Sequence, residues 1–128
     1  MKAEDLQEYA RGRVEELPGA VLEHPFGPDW DVFKVRDKVF MLFTEVTGEP
    51  IVVLKASPDD GELLREQHEA ITPGYHMNKR HWLTLHPDGQ FQKLFVEDLV
   101  TESYLLVVES LPRAKRPVDP AVFGKVGR

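Results

Sequence analysis

The spacing of apolar residues along the chain changes several times, and each change marks the boundary of a predicted element. Between residues 3 and 17 apolar side chains recur every three or four positions, which predicts a helix that ends at Pro18-Gly19. Short apolar runs separated by turn-forming residues then predict strands near 20–24, 32–35, 39–46 and 51–54. Strands so close in sequence pair as antiparallel hairpins, because a parallel crossover needs about a dozen residues.

The second half of the chain contains two more helical patterns. Ser57-Pro58-Asp59-Asp60 is typical of a helix start, with Ser57 as the N-cap, and we expect this helix to run to about His68. Two further strands and a last helix are predicted at 71–77, 82–85 and 96–111. Pro112 ends the last helix, since proline cannot continue the backbone hydrogen bonds.

The predicted order is one helix, three or four strands, a second helix, two strands and a third helix. This order indicates a two-layer α+β domain whose antiparallel sheet has helices on one face and solvent or a partner on the other. We assign residues 1–112 to this single domain. Residues 113–128 are basic and contain Pro117 and Pro120, so we expect an irregular, mobile tail.

Composition narrows the possible functions. The chain has 128 residues, of which 41% are hydrophobic and 30% charged, as in one ordinary globular domain. It contains no cysteine, which excludes thiol catalysis and zinc–thiolate sites. No apolar run approaches the ~20 residues of a membrane span, and the first residues lack the pattern of a signal peptide. We therefore expect a cytoplasmic protein.

Charge is unevenly distributed along the chain. The formal net charge is −6, which disfavours binding to nucleic acid or to anionic membranes. Residues 1–70 carry most of the negative charge, whereas residues 71–93 and 113–128 each have a positive balance. A local contact with an anionic partner is therefore compatible with the overall charge.

The segment from Thr72 to Trp82 combines turn-forming residues with two aromatic rings, two histidines and the adjacent cations Lys79 and Arg80. Cations can neutralise phosphates while aromatic rings stack on bases, so this composition is typical of a nucleic-acid contact. Two interpretations of Trp82 remain open. Alternation places its ring opposite the leucines that follow it, so the ring either lines a groove or is itself part of the core.

The same residues resemble a known family. The run Pro73-Gly74-Tyr75-His76-Met77-Asn78-Lys79-Arg80-His81-Trp82, followed by Thr84, is similar to the signature of the MmcQ/YjbR family of small bacterial proteins. Ser103-Tyr104, Pro25-Phe26-Gly27 and the strand start at Trp30–Lys34 extend the resemblance over roughly residues 2–112. The resemblance implies an α-β(3)-α-β(2)-α fold, and the family is described as DNA-binding because its sheet and hairpins resemble a "double wing". It implies no enzymatic activity.

Our leading hypothesis is a non-enzymatic module that binds DNA weakly and with tolerance for sequence, without a cofactor. Lys79 and Arg80 would contact phosphates, Asn78 would hydrogen-bond, and Tyr75 or Trp82 would stack. The predicted contact residues are Tyr75, His76, Asn78, Lys79, Arg80, His81 and Trp82. Secondary basic contacts are expected from Lys93, Arg113, Lys115 and Arg116.

Other functions are weighed against this hypothesis. A protein partner could dock on the open sheet face or on an edge strand. His76 and His81, with His68, Glu69 or His86, suggest a metal or small-molecule site, but their spacing matches no short zinc motif and we predict no metal. An acidic ridge on the first helix suggests cation binding, although a solubilising surface explains it better; its members are Glu4, Asp5, Glu8, Glu15 and Glu16.

Overall fold

The computed structural model describes residues 1–124 and confirms the two-layer α+β class. The helices are α1 (Asp5–Val14), α2 (Pro58–Gln67) and α3 (Lys93–Glu109). The strands are β1 (Ala20–Glu23), β2 (Trp30–Val35), β3 (Lys38–Thr44), β4 (Ile51–Lys55), β5 (Ile71–Pro73) and β6 (Trp82–Leu85). All strand pairs are antiparallel, and the order across the sheet is β1-β2-β3-β4-β6-β5. Four strands therefore precede α2, the larger of the two numbers expected.

Local signals set the start of α2 as predicted. The Ser57 hydroxyl accepts a hydrogen bond from the Asp60 backbone N–H at 3.3 Å, and Pro58 occupies the first turn. The first helix is shorter than expected, because α1 ends at Val14 and the chain tightens into a turn in which the Leu17 N–H donates to the Val14 carbonyl.

A bulge in β3 shapes the layer between the sheet and α3. Phe33 pairs with Met41 and Lys34 pairs with Val39, so Phe40 is an extra residue without a partner on β2. Ser103 of α3 forms hydrogen bonds with backbone groups of β3 and β4 at this bulge. Its hydroxyl donates to the Phe40 carbonyl at 2.6 Å and accepts from the Lys55 N–H at 2.8 Å.

Both faces of the sheet are buried over its central strands, which corrects the expectation of an open second face. One face packs on α1 and α3 in the main core. The other carries a smaller apolar layer, called here the second-face cluster: Val32, Leu42, Ile51, Val53 and Trp82, with Trp30, Val39, Tyr75 and Met77 packed against them. Tyr75 and Met77 belong to residues 74–81, which connect β5 to β6 and which we call the cover segment. A loop therefore shields a face that the strand pattern alone left exposed.

The predicted tail has little regular structure, but it packs against the domain as far as it is described. Within residues 113–124 it forms the 3-10 turn Arg113–Lys115 and a second turn in which the Phe123 N–H donates to the Asp119 carbonyl at 3.0 Å. Arg36 donates to the Lys115 carbonyl at 3.0 Å, and the Phe123 ring lies 6.1 Å from that of Tyr104. Residues 125–128 of the predicted tail lie outside the described residues.

Candidate nucleic-acid interface

Gly74 starts the cover segment at a point where no side chain fits. Its N–H donates to the Trp82 carbonyl at 2.8 Å, so the two backbones run side by side. A Cβ atom on residue 74 would lie 2.5 Å from the Trp82 Cβ and 3.0 Å from its carbonyl carbon. The glycine of the motif is therefore required by packing.

Two residues predicted to contact nucleic acid also hold the segment in shape. The Asn78 side-chain oxygen accepts hydrogen bonds from the N–H groups of Arg80 and His81, at 2.9 and 3.2 Å. The Lys79 ammonium donates to the Gly74 carbonyl at 2.7 Å, which closes the loop on itself. Asn78 thus acts as a turn residue, and the charge of Lys79 is partly committed to the backbone.

Trp82 is a core residue, as the second interpretation of its position proposed. Its side chain is only 8% exposed within the second-face cluster, and the Lys55 ammonium lies 6.0 Å from its ring centre. The expectation that Trp82 stacks on a ligand is therefore wrong, because the cover segment and the sheet enclose the ring.

Three aromatic rings gather on the outer side of this cluster, and we call them the aromatic trio: Trp30, Tyr75 and His76. The Tyr75 ring lies nearly parallel to that of Trp30, with an interplanar angle of 12° and a centroid distance of 6.0 Å. The His76 ring lies 4.2 Å from Tyr75 and 6.2 Å from Trp30. Trp30 and Tyr75 are half-buried, whereas His76 is exposed. The trio joins predicted site residues to a tryptophan from a different strand.

The backbone of the cover segment is fixed around the trio. Tyr75 donates its N–H to the Thr84 hydroxyl at 2.8 Å. His76 has a φ of 59°, in the left-handed region that residues other than glycine seldom adopt. Such conformations persist where surrounding contacts enforce them, and they are concentrated at functional sites.

Arg80 and His81 complete the exposed part of the segment. Both residues are exposed, and within residues 1–124 no hydrogen bond or ion pair engages either side chain. The cover segment therefore carries a free guanidinium and a free imidazole in the same loop as Tyr75 and His76.

Of the secondary basic residues, Lys93 lies apart from the three in the tail, Arg113, Lys115 and Arg116. Lys93 is the first residue of α3, and Arg113 lies beyond its other end. A helix of 17 residues is about 25 Å long, so the two cations are far apart. The Arg116 guanidinium is already occupied, since it donates to the carbonyls of Leu111 and Glu109 at 3.0 and 2.8 Å.

A row of three hydrogen-bonded side chains, which no sequence pattern indicated, lies beside the cover segment. Thr72 and His86 are joined at 2.9 Å through Nε2 of the imidazole, and Nδ1 lies 2.8 Å from a Glu49 carboxylate oxygen. Because an ionised carboxylate only accepts hydrogen bonds, the proton is assigned to Nδ1 and the Thr72 hydroxyl donates to Nε2. The row ties β5 and β6 to the turn before β4. Only the strand pairing brings these three residues together, so spacing in the sequence gave no signal for them.

The described residues show neither a group of metal ligands nor a continuous acidic ridge on α1. Within residues 1–124, no three His, Asp or Glu side chains gather in a group that could hold a metal ion. The predicted acidic ridge is interrupted by ion pairs, with Glu8 3.1 Å from Arg11 and Glu16 2.9 Å from Arg13. In the same described range, none of the helices has the length and apolar character needed to cross a membrane.

Comparison with known proteins adds the family context. The model of the family described as YjbR matches residues 15–106. The chain is 40% identical over 113 residues to the protein YbdF of Escherichia coli O157:H7, covering 88% of this chain and 93% of that protein. It is 38% identical over 118 residues to the protein YjbR of Escherichia coli strain K12, covering 91% and 95%.

Solved structures show the same fold. The crystal structure of the Deinococcus radiodurans protein DR2400, with the family-model domain DUF419, superimposes with a TM-score of 0.76 at 35% identity. It is matched over 83% of this chain and 81% of its own. A crystal structure of a Pseudomonas syringae protein gives a TM-score of 0.66 at 27% identity, over 83% and 98% of the two chains. The names of these four proteins state no ligand.

Proposed function

The chain belongs to the YjbR family, and we propose that it binds nucleic acid, DNA in the first instance, through the outer surface of the cover segment. The observation that supports the proposal is that one eight-residue segment carries two rings of the aromatic trio together with the free side chains of Arg80 and His81. Rings that stack and a cation that pairs with phosphate are the two components of such contacts.

The residues of the motif divide into those that shape the loop and those that remain available for binding. Gly74, Asn78 and Trp82 build and anchor the loop, and Lys79 closes it. Of the remaining side chains, those of His76, Arg80 and His81 are exposed, and those of Tyr75 and Trp30 pack on the second-face cluster but stay half-buried. They are the ones we assign to binding: Tyr75, His76, Arg80 and His81, with Trp30 from β2.

The local charge is favourable although the whole chain is acidic. Residues 70–87 include no Asp or Glu, but contain two fixed cations and three histidines. Arg80 is free and Lys79 is partly committed to the backbone, so the footprint is small, and neutralisation of one or two phosphates on duplex DNA gives a salt slope of about −0.9 to −1.8. We therefore propose weak binding with tolerance for sequence.

Fluorescence anisotropy with labelled DNA at two or more salt concentrations tests the proposal. We expect binding at low salt that weakens as salt rises. Arg80→Ala should weaken binding at least severalfold, because it removes the free cation of the site. Lys2→Ala is the matched control, since it removes one exposed positive charge from a residue outside the predicted contacts and should leave binding within twofold. No binding at low salt, or equal losses for the two variants, would contradict the proposal.

A second candidate, association with another copy of the chain, is favoured by the state of the two sheet edges. At the β5 edge, Pro73 has no N–H and the Ile71 N–H donates to the His68 carbonyl at 3.1 Å, so this edge is blunted. At the β1 edge, Val21 and Leu22 are 47% and 46% exposed. The Ala20 N–H donates to the Leu17 carbonyl at 3.2 Å, but the exposed apolar side chains leave the β1 edge the less protected of the two. Exposed edges of this kind pair with other strands.

Two copies of β1 can pair antiparallel around a twofold axis perpendicular to the sheet. One such register sets Val21 opposite its counterpart and Glu23 opposite Gly19, so no like charges face each other. Opposite residues then lie close enough for a disulfide, and the chain has no other cysteine to interfere. Val21→Cys should cross-link on oxidation, whereas Val46→Cys, at a position of 50% exposure, should not. Equal cross-linking of both variants would contradict this candidate.

A further inference from the structure

The aromatic trio is a rigid surface and not a loose set of side chains. Trp30 begins a strand of the sheet, and Tyr75 packs against the second-face cluster below it. The Tyr75 backbone is held by Thr84, and the His76 ring contacts that of Tyr75. Rings fixed in this way lose little conformational freedom when a flat ligand stacks on them.

The surroundings of the trio are unsuited to reading a double helix. The second-face cluster contains no residue from α1, α2 or α3. The major groove admits an α-helix or a two-stranded ribbon. Strands β5 and β6 form an antiparallel pair, but the segment that joins them folds back over the sheet and does not project from it. In a duplex, moreover, the faces of the bases are covered by their neighbours and offer no surface for stacking.

We infer that the site takes unpaired nucleotides, so that its ligands are single-stranded segments rather than intact duplex. This inference rests on the proposed function and specifies its ligand. Bases stack on the aromatic trio, chiefly on Tyr75 and His76, while Arg80 contacts a flanking phosphate. Stacking on an aromatic side chain changes affinity by about fivefold to a hundredfold per base, so most of the binding comes from the bases.

The test uses the full chain and three labelled probes of about twelve nucleotides, a length within known single-strand site sizes. They are a thymidine single strand, a blunt duplex, and an abasic strand with the same number of phosphates. We expect the thymidine strand to bind at least tenfold more tightly than either of the others. Equal binding of the abasic strand would overturn the inference, because phosphates alone would then explain the affinity.

The probes separate this inference from the proposed function. Equal or tighter binding of the duplex would overturn the preference for unpaired bases but would leave nucleic-acid binding in place. Failure of all three probes at low salt would overturn both.

Two substitutions of Tyr75 locate the stacking surface. Tyr75→Phe should retain binding of the thymidine strand within twofold, whereas Tyr75→Leu should weaken it at least fivefold. If Tyr75→Leu does not fold, the fluorescence of Trp30 is measured in its place, in a Trp82→Phe variant. Trp82→Phe leaves Trp30 as the sole tryptophan, since the chain contains two. Quenching of Trp30 by the thymidine strand but not by the abasic strand is the expected result, and quenching by neither would contradict stacking at the trio.

Discussion

Lys79 and Arg80 are adjacent cations with different tasks, and paired substitutions can separate those tasks. Replacing each with Met keeps most of the apolar stem and removes one charge. The Lys79 ammonium donates to the Gly74 carbonyl at 2.7 Å, whereas the Arg80 side chain has no hydrogen bond or ion pair within residues 1–124. Lys79→Met should therefore destabilise the fold, and Arg80→Met should not.

The magnitude follows from the hydrogen bond. A bond to a charged group contributes about 1.5–3 kcal/mol, but Lys79 is exposed and water screens it, so we expect a loss of about 1 kcal/mol. For a chain of this size, that loss lowers the melting temperature by about 4 °C. The Arg80 variant should stay within about 0.5 kcal/mol of the parent, as is usual for surface positions.

Thermal unfolding followed by circular dichroism measures both effects, and anisotropy with labelled DNA is then recorded on the same samples. Arg80→Met should weaken binding with an unchanged melting temperature, and Lys79→Met should change both quantities. The reasoning is refuted if the two variants unfold at the same temperature, or if Arg80→Met is the less stable.

Three further predictions concern stability. Gly74→Ala should lower the unfolding free energy by more than about 2 kcal/mol because its Cβ meets backbone atoms, whereas Gly12→Ala, whose Cβ meets nothing within 4 Å, should raise it by about 0.5–1 kcal/mol; urea unfolding measures both. Ser103→Ala should cost about 2–3 kcal/mol in the same assay, since it leaves a buried carbonyl and an N–H without partners. Burial and two nearby aspartates raise the pKa of Glu102 above its ordinary value of 4.5. The carboxylate is therefore unfavourable at neutral pH, so Glu102→Gln should raise the melting temperature at pH 7, with a gain that disappears once acid protonates the carboxyl in both folded and unfolded chains.

Elements governed by neighbouring residues could be predicted from the sequence. The N-cap at Ser57 is an interaction within one helical turn, and the spacing of the first strands left only antiparallel pairing. The fold class follows from such local rules, and the structure confirms it. The Phe40 bulge could not be predicted, because it depends on Ser103 of a distant helix filling the gap in the ladder.

The geometry of the candidate site could be predicted only in part. Composition identified the segment, but residue types alone could not distinguish Lys79, which bonds to backbone, from Arg80, which is free. Alternation gave the face on which Trp82 lies but not the loop that covers it. Trp30 was absent from the predicted site, because its contact with Tyr75 crosses the sheet. One signal was available: Trp30 lies two residues before Val32 at the start of a strand, so alternation places both side chains on the same face.

A titration of the isotope-labelled chain with a thymidine single strand, followed by amide and indole NMR shifts, tests the central claim most directly. If the outer surface of the cover segment binds nucleic acid, shifts should concentrate in residues 75–81 and at the Trp30 indole N–H, with little change at the buried Trp82. Absence of shifts at low salt, or shifts centred on the tail or on β1, would contradict the account.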